Sequence, residues 1–331
     1  MRADSLPVEP VIRVSGLSVR YPIGGGGFWG GKQRFVSAVD NLSFSINSGE
    51  TLGVVGESGS GKTTTGRAVL RRVEPAAGSI YFKGQDITHA SGEPLRRLRR
   101  HMQMVFQDPY ASLNPRMRIL DIVAEPLLVH GVVRKLSDAE ERVARLLSLV
   151  GLPADARKRY ADAFSGGQRQ RIGIARALAL EPDLIVADEP ISALDVSIRA
   201  QVVNLMQDLQ KELRVAYLFI AHDLSVVRHI AHRVAIMYLG KVVELGERNS
   251  IYERPKHPYT EALLSAVPIP DPELQRARRR IVLKGEIPDP SNPPKGCRFQ
   301  TRCPHAVEQC RVAEPPLEEK EPNHWAACWA R

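Results

Sequence analysis

The chain has 331 residues, 43% of them hydrophobic and 25% charged, with a formal net charge of +9. That length and balance suit one large packed domain or two smaller ones. The longest apolar runs, such as 215–221, are far shorter than the roughly 20 residues of a membrane span. The N-terminus, MRADSLPVEP, has no apolar signal region, so a cytoplasmic chain is expected, peripheral if it works at a membrane.

In chain order, residues 11–21 alternate apolar and polar, as an opening strand does. Residues 24–31, GGGGFWGG, read as a loop insertion. A second strand set is expected at 36–46. Residues 51–55 form a buried strand feeding a glycine-rich loop, and 62–70 continue as a helix. About 94–163 reads as mostly helical. Short buried strands follow at 184–187 and 215–221, the second ending at His222. Alternating strands and helices imply an α/β fold with a parallel, helix-flanked sheet. From Pro255 to Pro294 repeated prolines interrupt regular structure. A loop-rich C-terminal extension over 251–331 is therefore expected behind a domain over 1–250.

The positive charge is clumped at Arg96, Arg97, Arg99 and Arg100 and at Arg276, Arg278, Arg279 and Arg280. Both clumps read as solvated helical faces, with a role against anionic lipid headgroups as the alternative. No aromatic residues are interleaved with them, so no nucleic-acid partner is expected.

The chemistry starts at Gly56-Glu57-Ser58-Gly59-Ser60-Gly61-Lys62-Thr63. This run fits the phosphate-loop pattern and sits in the required strand–loop–helix context. Glycines let backbone amides close around phosphates, and the helix N-terminus adds its positive end. Lys62 is expected at the β- and γ-phosphates, Thr63 on Mg²⁺, and Thr64 beside it in the ATP-binding set. Asp188 and Glu189 end the strand at 184–187, the position of a Mg²⁺-holding aspartate in such ATPases. Ser165 is a helix N-cap, and Ser165, Gly166, Gly167 and Gln168 form a second glycine-rich helix start that can face an anion.

The run Phe164-Ser165-Gly166-Gly167-Gln168-Arg169-Gln170-Arg171, lying between the phosphate loop and Asp188-Glu189, resembles the signature of ATP-binding cassette (ABC) ATPases. The resemblance spans roughly residues 10–250. It implies a RecA-like core with antiparallel β and helical subdomains, the helical one at about 94–164. It also implies roles. Glu189 is the general base for the attacking water. Gln107 is the Q-loop amide that contacts Mg²⁺ or that water. His222 is the switch histidine at the γ-phosphate, and Asp195 belongs to the loop along the dimer seam. Tyr21 stacks on adenine in this reading; an edge-strand tyrosine is the alternative. In the family the signature of one subunit closes over the phosphate loop of the other, so ATP is sandwiched twice.

Gln107-Asp108-Pro109-Tyr110-Ala111-Ser112-Leu113-Asn114-Pro115-Arg116 and His257-Pro258-Tyr259-Thr260-Glu261-Ala262-Leu263-Leu264-Ser265-Ala266-Val267-Pro268 look like bacterial oligopeptide/dipeptide importer ATPases and their extension, and Thr64-Thr65-Gly66-Arg67 resembles the second of the two ATPase subunits of such systems. That resemblance implies a heterodimer with a sister ATPase, two membrane permeases and an extracytoplasmic solute-binding protein. It also implies a place on the cytoplasmic face of the inner membrane. A soluble ABC ATPase of translation or DNA repair is the alternative. Such chains carry two cassettes or long coiled-coil insertions, and neither is visible here.

Cys297, Cys303, Cys310 and Cys328 are the only cysteines. Four thiolates suit Zn²⁺ or a [4Fe–4S] cluster, and reduced thiols in a loop-rich tail are the third reading. The gaps are wider than those of common structural zinc sites. The resemblance of the tail to cluster-carrying members favours [4Fe–4S], acting as a staple for a segment that buries little apolar area.

Overall fold

The computed structural model describes residues 9–23, 34–268, 271, 273, 276 and 280–331. The expected insertion at 24–31, and Arg278 and Arg279 of the second basic clump, lie outside the described residues. The elements run β1 (Ile12–Ile23), β2 (Arg34–Ile46), β3 (Thr51–Val55), α1 (Lys62–Val69), β4 (Ala77–Phe82), β5 (Gln85–Asp86), α2 (Gly92–Arg99) and β6 (Met102–Val105). They continue with α3 (Ile119–Val129), α4 (Glu140–Leu149), α5 (Gly166–Leu178), β7 (Leu184–Asp188), α6 (Val196–Leu213), β8 (Ala216–Ala221) and α7 (Leu224–Ile230). Last come β9 (Arg233–Tyr238), β10 (Lys241–Glu247), α8 (Arg248–Glu253), α9 (Pro258–Ala266), β11 (Glu318–Glu321) and β12 (His324–Ala326). Among the described residues no helix is long and apolar enough to cross a membrane.

The chain divides into two compact units. The first comprises Met1–Arg13, Ser45–Thr51 and Tyr81–Ile220. Its centre is the parallel ladder β6–β7–β8, with Met102 opposite Leu184 and Leu184 opposite Ala216. Every residue of β7 and β8 is buried. That explains their unbroken apolar runs, since a parallel strand is covered on both faces. The stretch 94–163, read as mostly helical, differs from that reading at Met102–Val105. A four-residue strand shows no period of its own, and its place is fixed by pairing with β7. On α2 only Leu95 is buried, and Arg96 and Arg97 lie beside Glu93 in exposed ion pairs. This is the solvated helical face expected of the first basic clump.

The second unit comprises Val14–Phe44, Leu52–Ile80 and Ala221–Arg331. Here β2, β1 and β4 are successive strands of one sheet. A second sheet starts with β3, which pairs in parallel with β9 (Leu52 opposite Arg233, Val55 opposite Ile236). It continues antiparallel through β10, β12 and β11, with Glu244 opposite Ala326 and Glu318 opposite Ala326. The strand that launches the phosphate loop and the last strands of the extension thus share a sheet. The anticipated boundary near residue 250 falls inside this unit. β11, with the sequence EEKE, has no apolar alternation to reveal it.

A buried carboxylate ties the extension to this sheet. Glu244 is fully buried and accepts from the backbone N–H of Lys256 (2.6 Å) and of His257 (2.9 Å). Its Oε1 also lies 2.7 Å from His324 Nε2, itself fully buried. A buried carboxyl group is tolerated only when its polar atoms are hydrogen-bonded in this way. His257 is buried too, and its Nδ1 accepts from the Tyr259 N–H at 3.1 Å, capping α9. Burial lowers its pKa from 6.5 to about 4, with Glu244 opposing and Arg331 reinforcing the shift. Between those values the unfolded chain takes up a proton that the folded chain refuses. Stability is therefore complete above pH 6.5 and declines as pH falls toward about 4, by on the order of 3 kcal/mol. Urea midpoints measured across that window should fall less steeply for His257→Asn, which keeps a capping acceptor without the titration. Parallel declines would remove His257 as the cause.

Candidate nucleotide-binding and hydrolysis site

The phosphate loop starts where β3, buried along its whole length, reaches Gly56, and it ends at Lys62, the first residue of α1. A Cβ on Gly56 would collide with the Met237 carbonyl. Gly61 has φ 100°, and a Cβ there would meet the Ala38 carbonyl. Both glycines are thus demanded by close backbone approach, and Gly61 also by its left-handed conformation. Lys62 is buried at 4% exposure, and its Nζ donates to the carbonyls of Gly56 (2.7 Å) and Glu57 (2.9 Å). The ammonium thus lies inside the arch of its own loop. No side chain caps the start of α1, so the helix dipole and first amides suit an anion. Ser58 and Gly59 are exposed, Ser60 is buried, and Thr63 and Thr64 are half-buried at the helix start. A loop with backbone cradles that leave no room for side chains, and with a buried ammonium, fits the phosphates of ATP. A threonine hydroxyl at its helix start is a suitable Mg²⁺ donor.

In the first unit, Asp188 closes β7 and is buried. Glu189 follows with φ 46°, a left-handed conformation uncommon for a residue with a side chain and often found at working sites. Its N–H donates to the Ile220 carbonyl (2.9 Å), and its carbonyl accepts from the Ser192 N–H (3.2 Å) and hydroxyl (3.1 Å). Gln107 Nε2 donates to Glu189 Oε2 at 3.0 Å. The sequence points Gln107 at Mg²⁺ or water; it does not foresee this grip on the carboxylate, 82 residues away.

Ser165 caps α5 in a full capping box: the Gln168 N–H donates to Ser165 Oγ (3.5 Å) and the Ser165 N–H to Gln168 Oε1 (3.1 Å). Both side chains lie at an exposed helix start. Gly167 packs so tightly that a Cβ would strike Ile198. Arg169, missed as a functional support, anchors this turn: it donates to the carbonyls of Phe164 (3.0 Å) and Asp162 (3.1 Å) and stacks on Tyr110 at 4.6 Å. Asp195 is exposed at the start of α6, in a turn braced by Arg199 on the Leu194 and Ser192 carbonyls. His222 is exposed just after β8, and Tyr21 is 38% exposed near the end of β1.

The cysteines are four free thiols, Cys310 and Cys328 buried, Cys297 and Cys303 half-buried. The Cys297 N–H donates to the Cys310 carbonyl at 2.8 Å. Burial pushes the Cys297 thiol up to about 11, and the other three thiols add to the shift. Burial raises Cys303 and Cys328 in the same direction. Among the described residues no three His, Cys, Asp or Glu side chains are gathered closely enough to hold a metal. Of the four residues expected as ligands, Cys297 and Cys310 meet through their backbones, and the described residues form no coordination shell.

A strand-launched phosphate loop, an acidic pair at a buried strand end and a capped glycine-rich helix start together define an ABC-type ATPase. Residues 39–192 match the family model described as "ABC transporter", and residues 243–310 that of the oligopeptide/dipeptide transporter C-terminal region. The chain is 53% identical to the oligopeptide transport ATP-binding protein AppF of Bacillus subtilis, over 97% of each chain. It is 52% identical to a Brucella ovis protein described as a "putative peptide import ATP-binding protein", over 96% of this chain and 97% of that one. Among solved structures, the dimeric bacterial ABC transporter cassette MJ0796 superposes with a TM-score of 0.62 at 27% identity, covering 72% of this chain and 98% of that one. The same cassette has been seen bound to ADP and phosphate after hydrolysis, with a TM-score of 0.62 at 26% identity and the same coverage. The chain belongs to the ABC family of transport ATPases, in the group that carries the oligopeptide/dipeptide transporter C-terminal region.

Proposed function

We propose that this ATPase drives import of di- or oligopeptides from the cytoplasmic face of a bacterial inner membrane. It would pair with a sister ATPase beneath two permeases fed by an extracytoplasmic binding protein. The observation that carries the reading is the end-to-end similarity to AppF, extension included.

In this reading Lys62 and the start of α1 hold the β- and γ-phosphates, and Gly56, Glu57, Ser58, Gly59, Ser60 and Gly61 wrap them. Thr63, Asp188 and Gln107 would hold Mg²⁺, which would neutralise charge on the phosphates. Water attacks the γ-phosphorus and loses its proton to Glu189 as ADP leaves. Gln107 keeps the Glu189 carboxylate in place, and His222 contacts the γ-phosphate. Ser165, Gly166, Gly167 and Gln168 serve the partner's nucleotide, with Asp195 along the seam and Tyr21 on adenine. The 1–250 and 251–331 segments remain the functional division.

At the extension the reading assigns a [4Fe–4S] cluster, with Zn²⁺ as the alternative, to Cys297, Cys303, Cys310 and Cys328. Its support is that the extension carries four free cysteines, two of which, Cys297 and Cys310, meet through a backbone hydrogen bond of 2.8 Å. The cluster would supply a crosslink.

Affinity purification of the tagged chain from membranes, with mass spectrometry and metal analysis, tests both parts. A second ATPase, two permeases and about four irons per chain are expected. Ribosomes, DNA or a lone homodimer would replace the transport reading; zinc or no metal would revise the extension alone.

A further inference from the structure

We infer that Tyr259 and Arg302, both from the C-terminal extension, are positioning residues for the phosphate loop and set its affinity for ATP. Two contacts converge on one loop residue. The N–H of Glu57 donates to the Tyr259 hydroxyl at 3.0 Å. Arg302 donates to both oxygens of the Glu57 carboxylate, NH1 to Oε2 at 2.7 Å and NH2 to Oε1 at 3.1 Å.

The first contact governs a single peptide plane. The Glu57 N–H belongs to the same peptide as the Gly56 carbonyl, which accepts from Lys62 Nζ. A trans peptide is planar, with its N–H and C=O pointing in opposite directions. Fixing the N–H on Tyr259 therefore aims the carbonyl at the lysine. Tyr259 is itself held: its ring packs edge-on against Tyr238 at 4.8 Å and tilted against Phe299 at 5.3 Å. Burial and the nearby Glu57 charge push its hydroxyl well above the usual tyrosine range, so it stays neutral. The second contact is a fork between planar groups, which fixes direction as well as distance. Only 9% of the Arg302 side chain is exposed, and Glu57 is 27% exposed. The partners are 202 and 245 residues from Glu57 in sequence.

The inference rests on reading 56–63 as the ATP loop, and the experiment separates the two. Binding of a fluorescent ATP analogue and steady-state hydrolysis are measured on the full-length chain, with thermal unfolding alongside. Lys62→Ala should lose nucleotide binding. Tyr259→Phe, which keeps the ring, should weaken binding by about 3- to 10-fold, the worth of one hydrogen bond, and leave kcat within about twofold. Arg302→Ala should weaken it by about 10-fold or more, with Arg302→Lys in between. Because Arg302 acts through Glu57, Glu57→Ala/Arg302→Ala should weaken binding no more than Arg302→Ala alone. Arg331→Ala removes an ion pair to Glu261 in the same extension and should leave affinity unchanged.

Normal binding in Lys62→Ala would overturn the loop reading and this inference with it. Loss in Lys62→Ala beside normal affinity in Tyr259→Phe and Arg302→Ala would overturn the positioning roles alone. An additive double variant, or an equal effect from Arg331→Ala, would reduce both residues to general support of the fold and so overturn the inference.

Discussion

Glu189→Gln is expected to bind ATP and to hydrolyse it at least about 100-fold more slowly than the parent, the usual worth of a general base. The exchange keeps size, shape and the left-handed backbone, so it tests the proton acceptor and little else. Gln107 donates to the Glu189 carboxylate and can donate equally to the new amide oxygen. The amide, however, cannot take a proton from water. ATP affinity and steady-state turnover measured on the same preparation decide the matter. Turnover at the parental rate would remove Glu189 as general base. Gln107→Ala should give a smaller loss in kcat, since the carboxylate remains but is no longer held.

Ser165→Arg should leave ATP binding by this chain's own loop intact and abolish hydrolysis at the composite site its signature completes in the partner. The substitution removes the capping box, which costs about 1 kcal/mol and should leave α5 folded. Arg169 also holds that turn through the Phe164 and Asp162 carbonyls. What the large cation does instead is block an exposed helix start where a partner would deliver phosphate. Nucleotide binding to the isolated chain and turnover in the assembled transporter should therefore separate. Loss of this chain's own binding would contradict the arrangement across a dimer seam.

Much of the site is local and therefore legible. The strand at 51–55, the loop 56–63 and the helix from Lys62 are contiguous. Gly56 and Gly61 are dictated by crowding carbonyls that any such loop must pass. The Ser165/Gln168 box is likewise a short-range pattern with its own energetic signature. The buried strands at 184–188 and 216–221 were readable because burial on both faces demands continuous apolar runs. Strand β6 was hidden because four residues carry no period. β11 was hidden because EEKE joins a sheet through backbone pairing with β12 rather than through an apolar face.

The class of enzyme is written in residue types at fixed short spacings, which create a phosphate cradle, an acidic strand end and a capped anion-facing helix. Which side chains distant in sequence brace them is a matter of tertiary structure: Gln107 on Glu189, Tyr110 against Arg169 of the signature, and Tyr259 and Arg302 on Glu57. It also decided that the extension joins the sheet of the phosphate-loop strand, pinned by the buried Glu244. The physical reason is the same throughout. Hydrogen bonds and strand pairing act over about 3 Å whatever the separation in sequence, so a partner hundreds of residues away leaves no periodicity or spacing to read.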